Sequence, residues 1–523
     1  MNKTLFKTQS VKSKKLNSAT PNAAGGVSYD LSAEQALSQY AVTCCFGGTY
    51  YVNATEQIQK VGELVKKVRP ELIAKIAVYS RESGNMKDMP AYLLAYLFSI
   101  GENELFTKIF NRVIVNSKML CNFVQIIRSG VLGRKSFGTV GKNAIRAWLL
   151  ARSPEQLFKD SVGHSKPSLV DIIKMVRPKF PDSHQDVTRY LFGRKYSVEN
   201  LPTLVQNFVS LKNGGQASPK GLDFRLLSNL TLDTAQWGEV AKGMTWNALR
   251  MNLNNLQKHG VFNTSTTLDI AKKLANKESV KKYNAFPYQL LNTYKNIGAV
   301  PDKIKNAIEQ ALEFATENVP NMGKVAVCMD VSGSMNSSVT GGYSYSGNGV
   351  TCVDVAALVS SCILRTADET LVLPFDTEVK HITVNKYDSV LTNSRKLTIN
   401  GGGTDCGCAM KHLVNTGWQG DLVFFVSDNM SWADFHGSYR TSMAENWLKL
   451  KRANPKCKLV LLDVTPNHQS QMFEDKDVLH VAGFSDSVFT VVEAFLSDKQ
   501  NFVKFIESVS LDNVKGQENG EDD

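Results

Sequence analysis

Two hydrophobic rhythms divide the chain. From about Tyr29 to Pro320, apolar residues recur every three or four positions, the spacing of helices that bury one face. Helices are predicted at Ala54–Val68, Pro70–Ser83, Met89–Ile100 and Asn103–Val115. Arg69-Pro70, Gly84-Asn85 and Gly101 separate them as stops and starts. Shorter helices are predicted at Gln125–Gly130, Asn143–Ala151, Pro154–Lys159, Ser168–Val176, Ser183–Phe192 and Asn200–Lys212. The series continues through Pro219–Leu227, Thr234–Lys242, Thr245–Lys258, Ser265–Ala275 and Pro301–Asn318. Short amphipathic helices in succession, without strands, predict stacked helical hairpins.

After Asn318-Val319-Pro320 the rhythm changes. Continuous apolar runs at Val325–Met329, Thr370–Pro374, Leu422–Val426 and Lys458–Leu462 read as strands buried on both faces. They alternate with helices predicted at Val353–Thr366, Asp405–Asn415 and Met443–Arg452, and Val379–Val384 is predicted as an antiparallel edge strand. Such alternation predicts a doubly wound, Rossmann-like α/β sheet. The domains expected are therefore residues 29–320, helical, and 321–510, α/β. Residues 1–28 carry five lysines and no acid and read as a flexible basic arm, and 511–523 reads as an acidic disordered tail.

Charge sharpens this division. The net +11 of the 523 residues splits into +19 over residues 1–320 and −8 over the remainder. A basic helical half points to a polyanionic partner, and an acidic α/β half suits a cation. Apolar runs are too short to span a membrane, and no secretory leader is visible. The nine cysteines are sparse, odd in number and mostly set in apolar stretches, so reduced thiols and a cytoplasmic location are expected.

The chemistry of the acidic half sits at strand ends. Asp330, Ser332 and Ser334 follow the first strand, Thr404 follows three glycines, and Asp428 follows the strand Leu422–Val426. In an open α/β sheet ligands gather beyond the carboxyl ends of strands. Two carboxylates and three hydroxyls there form a hard oxygen set for a divalent cation, Mg²⁺. Two alternatives stay open: the groups only cap helices and close turns, or the metal serves stability alone. No nucleophile and base pair lies nearby, and one metal without a carboxylate cluster does not make a two-metal nuclease.

In the basic half, Lys108–Lys195 holds 17 Lys and Arg against five acids. Arg128, Arg134, Lys135, Lys142, Arg146, His164, Lys166, Lys174 and Arg177 fall near predicted helix ends and loops, where cations can meet phosphates. Phe137, Trp148, Phe158 and Phe180 interleave them, either as core or as stacking surfaces. On this reading, reversing Arg134, Lys135 and Arg146 to glutamate abolishes RNA binding and leaves the fold intact.

Two sets of motifs carry a family resemblance. DVSGSM at 330–335, GGGTD at 401–405 and the strand ending VSD at 426–428 resemble a von Willebrand factor A domain with a metal-ion-dependent adhesion site. The resemblance implies Ser332, Ser334 and Thr404 as direct ligands and Asp330 and Asp428 as water-mediated ones. YSRESGNMKDMPAYLL at 79–94, GRKSFGTVGKNAIRAWL at 133–149 and SLVDIIKMVRPKF at 168–180 resemble segments of the TROVE module. The two modules in this order resemble the Ro autoantigen family, bacterial members included. Relatives often carry His-Pro where this chain has Arg177-Pro178.

The resemblance implies a ring of HEAT-like helical repeats joined to the A domain. It implies a non-enzymatic, monomeric protein that binds small non-coding Y-like RNA on an outer basic surface. It further implies that the central ring takes single-stranded 3′ ends of misfolded or structured RNA, in RNA quality control or processing. An exoribonuclease or another protein is an open partner. The competing function is a metal-dependent protein-adhesion scaffold.

Overall fold

The computed structural model describes residues 19–22, 26–44, 46, 54–162, 166–222, 224–227, 230–283, 285–339, 349–428, 430–431, 441–483, 487–497 and 501–512. The chain enters through two short strands, β1 (Ala19–Pro21) and β2 (Val27–Asp30). A helical series follows: α1 (Ala33–Thr43), α2 (Ala54–Leu64), α3 (Pro70–Glu82), α4 (Asp88–Ser99), α5 (Asn103–Val113) and α6 (Ser117–Ser129). Next come α7 (Gly138–Leu150), α8 (Pro154–Asp160), α9 (Leu169–Val176) and α10 (Gln185–Leu191), and the series runs on to α18 (Pro287–Asn296) and α19 (Asp302–Thr316). Five phenylalanines bind its first hairpins. Phe106 alone lies within 4.7–5.8 Å of Phe98, Phe110 and Phe123, ring centre to ring centre, and Phe137 adjoins Phe123.

The α/β half is a five-stranded parallel sheet in the order β4 (Glu369–Phe375), β3 (Lys324–Asp330), β5 (Leu422–Ser427), β6 (Lys458–Asp463), β8 (Val478–Ala482). Alternation along each strand serves two cores. Val325, Val327, Phe424, Val426, Val460 and Leu462 face α20 (Cys352–Thr366) and merge with the core of the helical half. Ala326, Cys328, Val423, Phe425, Leu459 and Leu461 face α22 (Cys406–Asn415) and α23 (Ser442–Ala453). Helix α20 is buried almost all round, and Ser360 and Ser361 satisfy their hydroxyls on carbonyls one turn back, each at 2.7 Å.

Both ends of the helical series pack on the α/β half, closing the array into a ring. At one end α18 and α19 meet α20 and α21 (Val390–Leu397), with ion pairs Lys295–Asp354 and, at 2.6 Å, Arg365–Glu313. At the other, α1 lies against β8 and α25 (Phe502–Glu507) lies against α3. Tyr79 there sits edge-on to Phe502 and Phe505 at 5.8 and 6.0 Å.

Several expectations need correction. Within the arm expected at 1–28, residues 19–21 and 27–28 are strand, and β2 pairs with β7 (Gln469–Ser470) of the α/β half. Residues 1–18 and 23–25 lie outside the described residues. Tyr29, expected to open the helical domain, is buried in the α/β core against Phe473. Leu511 and Asp512, expected in a disordered tail, are docked: Leu511 is buried and Asp512 pairs with Lys108 at 2.8 Å. The rest of that tail lies outside the described residues. The antiparallel edge expected at 379–384 shrinks to one bridge, Val379 with Phe375, after a turn in which Asp376 accepts the Thr377 and Glu378 amides at 2.6 and 3.1 Å.

The ring closure also carries a pH dependence. His480, buried in β8, presents its carbonyl to Gln35 Nε2 of α1 at 2.9 Å. Burial holds its imidazole down at about 4, with Glu474 partly opposing. The unfolded chain therefore binds a proton between pH 6.5 and 4 that the folded chain refuses, so stability falls as pH drops through that window and levels off below it. We expect urea melts at pH 7 and pH 4.5 to differ by about 2–3 kcal/mol less in His480→Gln than in the natural chain. An equal difference in both would remove His480 from the acid response.

Candidate nucleic-acid interface and metal centre

Arg128, Arg146, Lys174 and Arg177, among the cations expected to meet RNA, lie at or against α9. A capping box starts this helix: Ser168 Oγ accepts the Asp171 amide, and Asp171 accepts the Ser168 amide. Arg177 ends it in the left-handed conformation, φ +48°, ahead of Pro178. For a branched-free but bulky residue that geometry costs about 1 kcal/mol or more, and it leaves the guanidinium exposed. Arg128, exposed at the end of α6, reaches Met175 Sδ at 3.1 Å. Arg146 of α7 donates from Nε to the Val176 carbonyl at 2.6 Å. Lys142 lies one turn earlier on α7 and is exposed.

Arg128 and Lys174 line an open groove of about 710 Å³ with Gln125, Ser129, Pro167 and Asp171. Lys166, exposed, precedes its rim at Pro167. Asp171 is the acid of this groove, and hydrogen bonds from Ser168 hold its carboxyl below the usual range. Lys135 is exposed and its stem runs over Gly130, where an added Cβ would meet Lys135 Cε at 2.5 Å. His164 lies outside the described residues.

Arg134 stands apart from these. Its guanidinium lies 3.9 Å over the Phe98 ring and donates to the Phe98 and Ser136 carbonyls at 2.9 and 3.0 Å. With Arg146 also spent on a helix carbonyl, reversing these two cannot leave the fold untouched, against the expectation from sequence. Phe137, Trp148 and Phe158 are core, and Phe180 stacks on His184 at 5.4 Å. Arg194 and Phe192 escaped the sequence reading: Arg194 stands 5.7 Å from the centre of the half-buried Phe192 ring, and the already predicted Lys174 stands 5.8 Å from it. The run Phe192-Gly193-Arg194-Lys195 was the available signal.

At the carboxyl ends of the sheet, Asp330, Ser332, Ser334, Thr404 and Asp428 are all buried. Asp330 Oδ1 accepts the Ser332 amide at 2.8 Å, and Oδ2 accepts the Ser427 hydroxyl at 2.6 Å. The Ser332 and Ser334 hydroxyls lie 3.3 Å apart, and Ser334 bonds the Asp428 carboxylate. The glycine loop locks on by backbone pairs: Gly401 N–H donates to Val331 and Gly333 N–H to Gly402, both at 2.8 Å. A Cβ on Gly401 would meet the Val331 carbonyl at 2.5 Å, so this approach requires glycine. The loop that carries Thr404 is thereby fixed against the turn.

Burial and the neighbouring Asp428 push the Asp330 carboxyl up to about 7. Burial likewise raises Asp428, and Asp463 of β6 is raised by burial and by Asp428. Among the described residues no three His, Cys, Asp or Glu side chains gather at metal spacing. The donor set is thus two carboxylates and hydroxyls, all oxygen, which fits a small hard dication and offers nothing to a soft metal. A dication would also offset two buried negative charges that burial alone disfavours.

A helical ring closed by a parallel α/β domain with a DxSxS turn defines the class. Residues 168–340 match the TROVE domain model, and residues 324–496 match the model of the Ro60 vWA domain. The chain belongs to the Ro family of RNA-binding proteins. Its fold is similar to the crystal structure of the Ro (RSR) protein of Deinococcus radiodurans, with a TM-score of 0.60 at 20% identity over 90% of this chain and 100% of that one. No curated protein matches the chain in sequence. The motifs at 79–94 and 133–149 lie outside the span matched by the TROVE model. Among the described residues no helix is long and apolar enough to cross a membrane.

Proposed function

We propose that the chain is a non-enzymatic, monomeric RNA-binding protein of the cytoplasm. It takes small non-coding, Y-like RNA on the basic surface around α9 and passes single-stranded 3′ ends into the ring, in RNA quality control or processing. The observation that carries this is the meeting of Arg128, Lys174 and Arg177 around one short helix and its groove. The nine cysteines are sparse for the length and odd in number, which supports a reducing compartment. Titrating the protein with a structured small RNA from 50 to 200 mM salt tests the reading. We expect log affinity to fall linearly with log salt at a slope of about −2 to −3, as for three phosphate contacts. A flat dependence would dismiss phosphate capture.

A second reading rests on the five-oxygen cluster. Ser332, Ser334, Thr404, Asp330 and Asp428 would hold Mg²⁺ there, the three hydroxyls directly and the two carboxylates through water as the family resemblance implies. The bound cation would supply a coordination position to a carboxylate of a protein partner, such as an exoribonuclease. This chain's residues orient the cation and withdraw the two carboxylates from water.

A further inference from the structure

The entering strands lie on the far side of the sequence from the metal-site loops, yet they hold them. Asn22 is buried and closes the β1–β2 connection on itself: its amide donates to the Gly26 carbonyl at 2.7 Å, and its Oδ1 accepts the Gly26 amide at 2.9 Å. Its Nδ2 donates to the Ser431 carbonyl at 2.7 Å, across 409 positions. Ser431, fully buried, is a junction. Its hydroxyl donates to the Thr404 carbonyl at 3.3 Å and accepts the Cys406 amide at 3.1 Å.

The Asp428 end of the same stretch is gripped through β7. Asn467 Nδ2 donates to the Asp428 carbonyl at 3.3 Å, while its Oδ1 accepts the His468 and Gln469 amides at 2.8 and 3.1 Å. Gln469 then donates from Nε2 to Thr20 Oγ1, the Pro21 carbonyl and Asp30 Oδ1 at 3.1–3.2 Å. The backbones of Thr404 and Asp428 are therefore tied to residues 20–30 by chains of two or three bonds. Every link in these chains is buried or half-buried, where a lost hydrogen bond is not replaced freely by water.

We propose that the paired strands β1 and β2 are a positioning element of the oxygen cluster, with Asn22 as its tether, so that cation affinity depends on their seating. This rests on the metal reading above. The logic is preorganisation: two of five donors are held at the required separation before the cation arrives, and freeing their loop makes binding supply that order.

Isothermal titration of the full chain with Mg²⁺ tests it, using Asn22→Ala and Asn22→Asp. Aspartate keeps the acceptor for Gly26 but cannot donate to the Ser431 carbonyl. Its added negative charge alone would tighten cation binding, so weakening in both variants isolates the tether. We expect both to bind Mg²⁺ at least fivefold more weakly, with amide hydrogen exchange accelerated at Met430 and Ser431 and unchanged in β3. An unchanged affinity in Asn22→Ala, or a tighter one in Asn22→Asp, overturns the positioning role while the natural chain still binds Mg²⁺. No Mg²⁺ binding by the natural chain overturns the metal reading and this dependence with it.

Discussion

Reversing Arg128, Lys174 and Arg177 together to glutamate is expected to weaken RNA binding at least 100-fold at 100 mM salt, with an unchanged melting temperature. Each charge-assisted hydrogen bond to a phosphate is worth about 1.5–3 kcal/mol, so loss of three exceeds the two decades stated even with partial compensation. All three side chains are exposed. Their partners inside the fold are weak: a thioether for Arg128, the Phe192 ring for Lys174, and for both the charge of the exposed Asp171 carboxylate. Arg134→Glu makes the contrast. It removes a guanidinium stacked on Phe98 and two bonds to backbone carbonyls, so it should lower the melting temperature whatever it does to RNA. Filter binding against a fixed small RNA, beside thermal melts of both variants, separates the two classes. Full affinity in the triple variant would move the RNA surface away from α9.

Local pattern told most where an element is stabilised by its own neighbours. Strands β3, β5 and β6 were readable because parallel strands buried on both faces are continuous apolar runs. The loops that meet at the cluster were readable because Gly401-Gly402-Gly403 could serve close approach. What failed depended on distant partners. Strands β1 and β2 exist through pairing with Gln469-Ser470, about 440 positions away, and Thr20 to Asp30 look like polar coil without it. Strand β8 was missed because His480 interrupts its apolar run, though that imidazole is buried. The helix expected at Thr245–Lys258 divides at Asn252, whose Nδ2 caps the Ala248 carbonyl at 2.9 Å and turns the chain out of helical geometry. Among the cations, sequence could count charge but not direction. Arg134 and Arg177 read alike, and only packing shows one folded inward and the other presented to solvent.

Adding Mg²⁺ to the metal-free protein should raise its melting temperature, and Ser332→Ala with Ser334→Ala should abolish that rise. Asp330 and Asp428 are buried side by side, and each raises the cost of charging the other. A dication that binds the folded chain alone adds stability of RT ln(1 + [L]/Kd), about 2.7 kcal/mol at a hundredfold excess over Kd. Removing the two hydroxyls removes two of three direct donors but only about 1 kcal/mol of ordinary hydrogen bonding. The double variant should therefore lie only about 1 kcal/mol below the natural chain without metal, and the gap should widen when Mg²⁺ is present. That comparison also decides between the open alternatives for these groups. If the hydroxyls only close the turn after β3, the variant loses stability equally with and without Mg²⁺, and no cation-dependent shift appears in either protein. If the cation serves stability alone, the shift appears but RNA affinity and capture of a carboxylate-bearing protein are the same in EDTA as in Mg²⁺. If it serves a protein contact, that capture alone disappears with EDTA. RNA binding around α9 should persist in all three cases, because none of its cations touches the cluster at the carboxyl ends of the sheet.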